Sequence, residues 1–186
     1  VTPKRARRLP EILSRCEAER LVQAAETIRD QLLVGLLYGC GLAGSEAAFA
    51  ARMTDVARRL GMHRTTFRNA SGLPDNEQVT TARDIATLAL ALRDRFPRRF
   101  RLFALRAFSY RGRTYRNHNR LLFSYKGTTG IKTGYTRASG FNLTAAVERG
   151  DKHLVGVVLG GRTSSLRNAA MTSLLDKHWS KASSHR

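Results

Sequence analysis

Acidic residues are scarce in this chain. Only 14 Asp and Glu stand against 33 Lys and Arg in 186 residues, for a formal net charge of +19. That shortage excludes an acidic, solvating domain. It gives the molecule a field that attracts polyanions such as nucleic acid, anionic lipid headgroups or wall polymers. The excess is uneven: residues 1–42 hold seven basic and five acidic side chains, residues 43–186 hold 26 and nine. Twenty-seven of the basic residues are Arg, scattered over the chain and not gathered in a tail or on one helix. Such dispersal fits solvated surface, so no nucleic-acid partner is expected.

Cysteine is nearly absent as well. Cys16 and Cys40 lack metal-ligand spacing and have no histidine near them, which argues against a zinc module. They either bridge in an oxidising compartment or remain two thiols, the second reading being preferred. His63, His118, His153, His178 and His185 are dispersed, so neither a metal nor another cofactor is expected. No apolar run nears the ~20 residues of a membrane-spanning helix. The run Leu32–Tyr38 is far too short. The basic, apolar and small-residue succession of an export signal is missing too. With 42% apolar residues and no repeat, the length suits one globular domain.

The patterning that is present predicts helices first and strands later. Glu11 to about Leu37 has helical spacing and is broken at Gly39-Cys40-Gly41. Ser45-Glu46 caps a helix running to Leu60, with Ala48, Phe49, Met53, Val56, Ala57 and Leu60 as its core stripe. Arg64–Asp75 reads as a short extended piece and a turn-rich loop, with Ser71 a turn residue. Thr80 or Thr81 caps a helix to Arg95 with Ile85, Leu88 and Leu92 inward, and a short helical segment continues to about Ala104. From Phe108 the period becomes two. A hairpin turns at Arg111-Gly112, a strand starts at Lys132, and the strands Phe141–Glu148 and Lys152–Gly160 pair across Arg149-Gly150-Asp151. Ser164 to about His178 closes the chain as a helix. The class is α+β, an antiparallel sheet with flanking helices.

The most specific stretch is Gly130-Ile131-Lys132-Thr133-Gly134-Tyr135-Thr136-Arg137-Ala138-Ser139-Gly140-Phe141-Asn142-Leu143. Lys-Thr-Gly alone arises by chance at roughly a few per cent in a chain of this length. The whole run, continued by Gly156–Arg162, closely resembles the D-alanyl-D-alanine carboxypeptidases of the bacterial envelope, the low-molecular-mass penicillin-binding proteins. The Phe67-x-Asn69-x-x-Gly72-Leu73 loop resembles the same family, and the likeness extends from about Ala43 to Trp179. It implies a partial penicillin-recognising (β-lactamase/transpeptidase-like) fold. The activity implied is serine-type cleavage of stem peptides ending in D-Ala-D-Ala, with β-lactams as family ligands and a periplasmic or envelope location. An anionic membrane or wall surface is a further candidate partner.

The resemblance also assigns roles. Lys132 supplies positive charge toward a peptide carboxylate, the Thr133 hydroxyl bonds that carboxylate, and Gly134 lets the ligand approach the strand closely. The Tyr135 N–H corresponds to an oxyanion donor. Covalent catalysis further requires a serine activated by a base, supplied in this family by Ser-x-x-Lys and supported by Ser-x-Asn. Neither motif occurs here, and the position matching Ser-x-Asn reads Asp30-Gln31-Leu32. No catalytic residue is therefore assigned, and the chain is expected to be inactive. The change in pattern near Gly41–Gly44 divides an anomalous segment 1–42 from a partial carboxypeptidase-like domain 43–186. It points to a truncated, processed or frame-disrupted product. The alternative is a natural relative that binds wall peptides without catalysis.

Overall fold

A computed structural model describes residues 45–184. The expectations for the helix Glu11–Leu37, for Cys16 and Cys40 and for the boundary at residue 42 lie outside the described residues. Helix α1 spans Glu46–Arg59, and Ser45 caps it by accepting the Ala48 N–H through its hydroxyl at 3.1 Å. Its buried face differs from the expected stripe. Ala50 and Ala57 are buried, whereas Ala48 and Val56 are exposed. At 100° per residue, positions 48 and 56 lie about 160° and 120° around the helix from Ala50. The buried side is fixed by Thr54, whose hydroxyl accepts the Phe67 N–H at 2.9 Å and ties the helix to the following loop.

Thr81 caps helix α2 (Ala82–Arg95) by accepting the Asp84 N–H at 3.1 Å. Helix α3 (Pro97–Phe100) follows, then a 3₁₀ turn (Arg101–Ala104). Strands β1 (Ala107–Tyr110) and β2 (Arg113–Arg116) form the expected hairpin. Its turn residues Arg111 and Gly112 both have positive φ, 47° and 73°, which suits the right-handed twist of the strands. Helix α4 (Leu121–Ser124) is a single turn that the residue pattern did not announce.

The main sheet has the order β3 (Thr128–Thr136), β4 (Gly140–Arg149), β5 (Lys152–Gly161) and the two-residue β6 (Ser183–Ser184), all antiparallel neighbours. Helix α5 is Ser164–His178. The strand expected to start at Lys132 starts at Thr128 instead, so Lys132 sits in mid-strand. The stretch before Lys132, Gly127–Gly130, is joined to β4. Pairing with Val147 and Ala146 across a register shift holds it in the sheet, and the Asn119 side-chain amide donates to the Gly130 carbonyl at 3.0 Å.

Residues 143–147 of β4 are all buried, because the sheet is covered on both faces. Leu143, Ala145 and Val147 pack with Met171 and Leu175 of α5. Ala146 packs with Ile131, with Ala89 of α2 and with Phe100. Fully burying a leucine such as Leu143 contributes about 1.5–3 kcal/mol. This doubly covered strand is the rigid reference against which β3 is held. No helix among the described residues is long and apolar enough to cross a membrane.

Candidate binding cleft

β3 forms one edge of the sheet. Lys132, Thr133, Gly134 and Tyr135 all line a cleft of about 990 Å³ beside it. All four residues singled out in the sequence therefore come together. Lys132 is exposed and its ammonium donates to the Thr133 carbonyl. Thr133 is half-buried, and the Tyr135 ring lies 4.4 Å from that of Phe141 across the β3–β4 pair. A Cβ added at Gly134 would meet only the Asn142 Cβ, at an ordinary 3.9 Å. The fold itself does not require glycine there, so the bare backbone is open toward the cleft.

The rest of the motif builds the turn that carries this edge. Thr136 accepts the Ser139 N–H through its hydroxyl at 2.9 Å, and its hydroxyl is 2.7 Å from that of Ser139. The Asn142 side chain donates to the Ser139 hydroxyl at 2.9 Å and accepts the Gly160 N–H at 3.0 Å. Ser139 and Asn142 thus clamp the β3–β4 turn to the end of β5.

Sequence reasoning missed the opposite wall. Arg167 of α5 lines the cleft while only 4% exposed. Its guanidinium donates to the Asn142 carbonyl at 3.2 Å and to the Asn168 side-chain oxygen at 3.1 and 2.8 Å. Burial, and then the nearby Arg120 charge, push its pKa below the usual guanidinium value; an arginine still keeps its proton. Gly161 makes the close approach of α5 possible, since a Cβ there would fall 2.8 Å from the Arg167 Cβ. An arginine in a closing helix reads as solvated surface until the helix is docked. Only the docking reveals it.

Arg116 and Arg120 line the same cleft, and among the described residues no Asp or Glu does. The ion pairs among the described residues, Arg68–Glu77 and Arg93–Asp94, lie elsewhere. One signal was available beforehand: residues 95–147 contain twelve Arg or Lys and no Asp or Glu. Among the described residues the cleft is therefore cationic, and a buried cation without an acidic partner is costly unless it meets an anion. Ser124 and Ser164 also line it, and the Ser124 hydroxyl donates to the Arg120 carbonyl at 3.2 Å. Among the described residues no serine hydroxyl is hydrogen-bonded to a lysine ammonium, and no group of three His, Cys, Asp or Glu could hold a metal.

Residues 41–163 match the family described as D-alanyl-D-alanine carboxypeptidase, and the chain belongs to that family. It is 38% identical over 127 residues to the D-alanyl-D-alanine carboxypeptidase DacC of Escherichia coli, covering 68% of this chain and 32% of that protein. Among solved structures, the carboxypeptidase DacD of Francisella tularensis superposes with a TM-score of 0.73 at 23% identity, over 87% of this chain and 52% of that one. Penicillin-binding protein D2 of Listeria monocytogenes, in its cefotaxime-bound form, gives 0.70 at 29% identity, over 78% of this chain and 60% of that one. The fold is that of the penicillin-binding DD-peptidases, part of the transpeptidase-like fold. The chain spans about a third of the length of the curated relatives it matches.

Proposed function

We propose that this chain carries the substrate-binding side of a serine D-Ala-D-Ala carboxypeptidase site and binds peptidoglycan stem peptides without turning them over. The family-like part is taken as 43–186, with the first 42 residues standing apart. The observation that carries this reading is the cleft lined by the Lys132-Thr133-Gly134 edge and by buried Arg167, without an acid among the described residues. The terminal carboxylate of a stem peptide lies against Lys132, the Thr133 hydroxyl and Arg167. The peptide backbone approaches β3 at Gly134, where no Cβ intervenes. The Tyr135 N–H faces the scissile carbonyl as an oxyanion donor. In a complete site a serine hydroxyl attacks that carbonyl as its proton passes to a base; the C–N bond then breaks, the terminal D-alanine leaves with that proton on its amine, and the acyl-enzyme remains until water hydrolyses it. This chain contains no Ser-x-x-Lys, so the acyl-enzyme does not form on it. The envelope is its place of action, and β-lactams bind reversibly as mimics of the peptide.

Intact-protein mass after incubation with a β-lactam tests the catalytic half of this reading. An unchanged mass is expected, since losing a triad-type nucleophile or base costs on the order of 10⁶ in rate. A gain of one drug equivalent mapped to any serine would overturn it.

A further inference from the structure

A second cationic feature borders the cleft. The guanidinium of Arg106 lies 5.6 Å from the centre of the Phe123 ring, and that of Arg116 lies 6.0 Å from it. Phe123 and Arg116 both line the cleft, and Phe123 is 46% exposed. The hairpin base brings the two arginines together. Ala107 pairs with Arg116, the Asn117 N–H donates to the Arg106 carbonyl at 2.8 Å, and the Asn117 side chain donates to the Leu105 carbonyl at 2.9 Å. Two guanidinium groups therefore share one aromatic ring, with no carboxylate between them among the described residues. A ring attracts each cation, while the like charges repel. An anion held beside the ring offsets that repulsion, and guanidinium groups match carboxylates bidentately.

We infer that Arg106 and Arg116, seated on Phe123, form a second anion seat. It takes a side-chain carboxylate borne by the bound peptide upstream of its terminus. The inference rests on the reading of the cleft as a peptide-terminus site. The occupant belongs to the same ligand because Arg116 and Phe123 line the cleft that Lys132 and Thr133 line, so a peptide anchored at β3 leaves past the hairpin. The seat then makes the cleft selective for acidic peptides over their amidated counterparts.

The test uses fluorescein-labelled peptides ending in D-Ala-D-Ala, with either Glu or Gln directly before that pair or one residue earlier. Anisotropy titrations of the full chain at low salt should give about tenfold tighter binding of the Glu form at one of those positions. Arg106→Gln and Arg116→Gln should each bring the Glu-to-Gln ratio close to one. Arg111→Gln, at the exposed hairpin turn outside the seat, should keep the ratio. Equal binding of Glu and Gln peptides to the parent chain at both positions overturns the second seat and leaves the cleft reading intact. Loss of the ratio in Arg111→Gln as well makes the effect one of general charge and also overturns the seat. Failure of every peptide to bind overturns the cleft reading, and this inference with it.

Discussion

Two polar regions of this molecule differ in how their charges are satisfied. Around Asp84, every polar partner is supplied by the protein. Its carboxylate accepts the Thr65 hydroxyl at 2.6 Å and the Arg64 N–H at 2.9 Å, while the Thr80 hydroxyl lies 2.9 Å from that of Thr65. Residues 45–94 hold seven basic and six acidic side chains, close to balance. The cleft is the reverse. Among the described residues it gathers Arg116, Arg120, Lys132 and Arg167 without one acid, the first three from a stretch that has none from 95 to 147. A closed network of donors and acceptors serves the fold, because nothing is left for a ligand to satisfy. The cleft cations, without acids among the described residues, are the ones proposed to meet a ligand.

Substitutions can break this contrast, and the largest effect is expected in the cleft. Arg167→Gln should weaken binding of a D-Ala-D-Ala peptide by on the order of 100-fold, as losing a buried charge partner does. Lys132→Ala should take binding below detection in the same titration, because little affinity remains without the strand charge. Either variant binding like the parent chain would separate the charges from the ligand.

Gly161→Ala should come next. Its methyl would press on the Arg167 Cβ at 2.8 Å and the Phe141 carbonyl at 3.0 Å, which costs about 1–3 kcal/mol. Urea unfolding measures this, and an unchanged midpoint would mean that α5 does not dock as described. Gly134→Ala should leave the urea midpoint in place while weakening peptide binding roughly tenfold, about 1.4 kcal/mol. A loss of stability there would show that the fold, not the ligand, demands glycine.

The Asp84 network predicts a pH effect confined to stability. Hydrogen bonds from the Thr65 hydroxyl, then from the Arg64 N–H, hold the Asp84 pKa below its ordinary value of 3.8. A lowered folded pKa means that the stabilisation is full above the ordinary carboxylate range and is lost as pH falls through the folded value. Asp84→Asn should lower the unfolding midpoint at neutral pH and flatten its decline on acidification, with peptide affinity little changed. A variant that declines with acid as steeply as the parent would sink this assignment.

Much of the fold was legible in the residues because its punctuation is local. The Thr81 cap, the Arg111-Gly112 turn and the period-two runs on either side of Arg149-Gly150-Asp151 each act within a few positions. The Lys132 edge was legible for the same reason. What stayed hidden depends on contacts distant in sequence. Arg167 acquires its meaning from Asn142, 25 residues away. The early start of β3 depends on Asn119 and β4. The buried face of α1 was legible in part: Ala57 is buried and Phe49, Met53 and Leu60 are half-buried as expected, whereas Ala48 and Val56 are exposed and Ala50 is buried on the side where Thr54 reaches Phe67.

The cleft is proposed to hold the negative end of a peptide. The most direct measurement compares two peptides that are identical except for a free acid or a carboxamide at the terminal D-alanine, titrated against the full chain at low and at physiological salt. The free acid should bind at least about tenfold tighter, with its advantage shrinking as salt rises. Equal affinity for the two peptides at low salt would contradict the account.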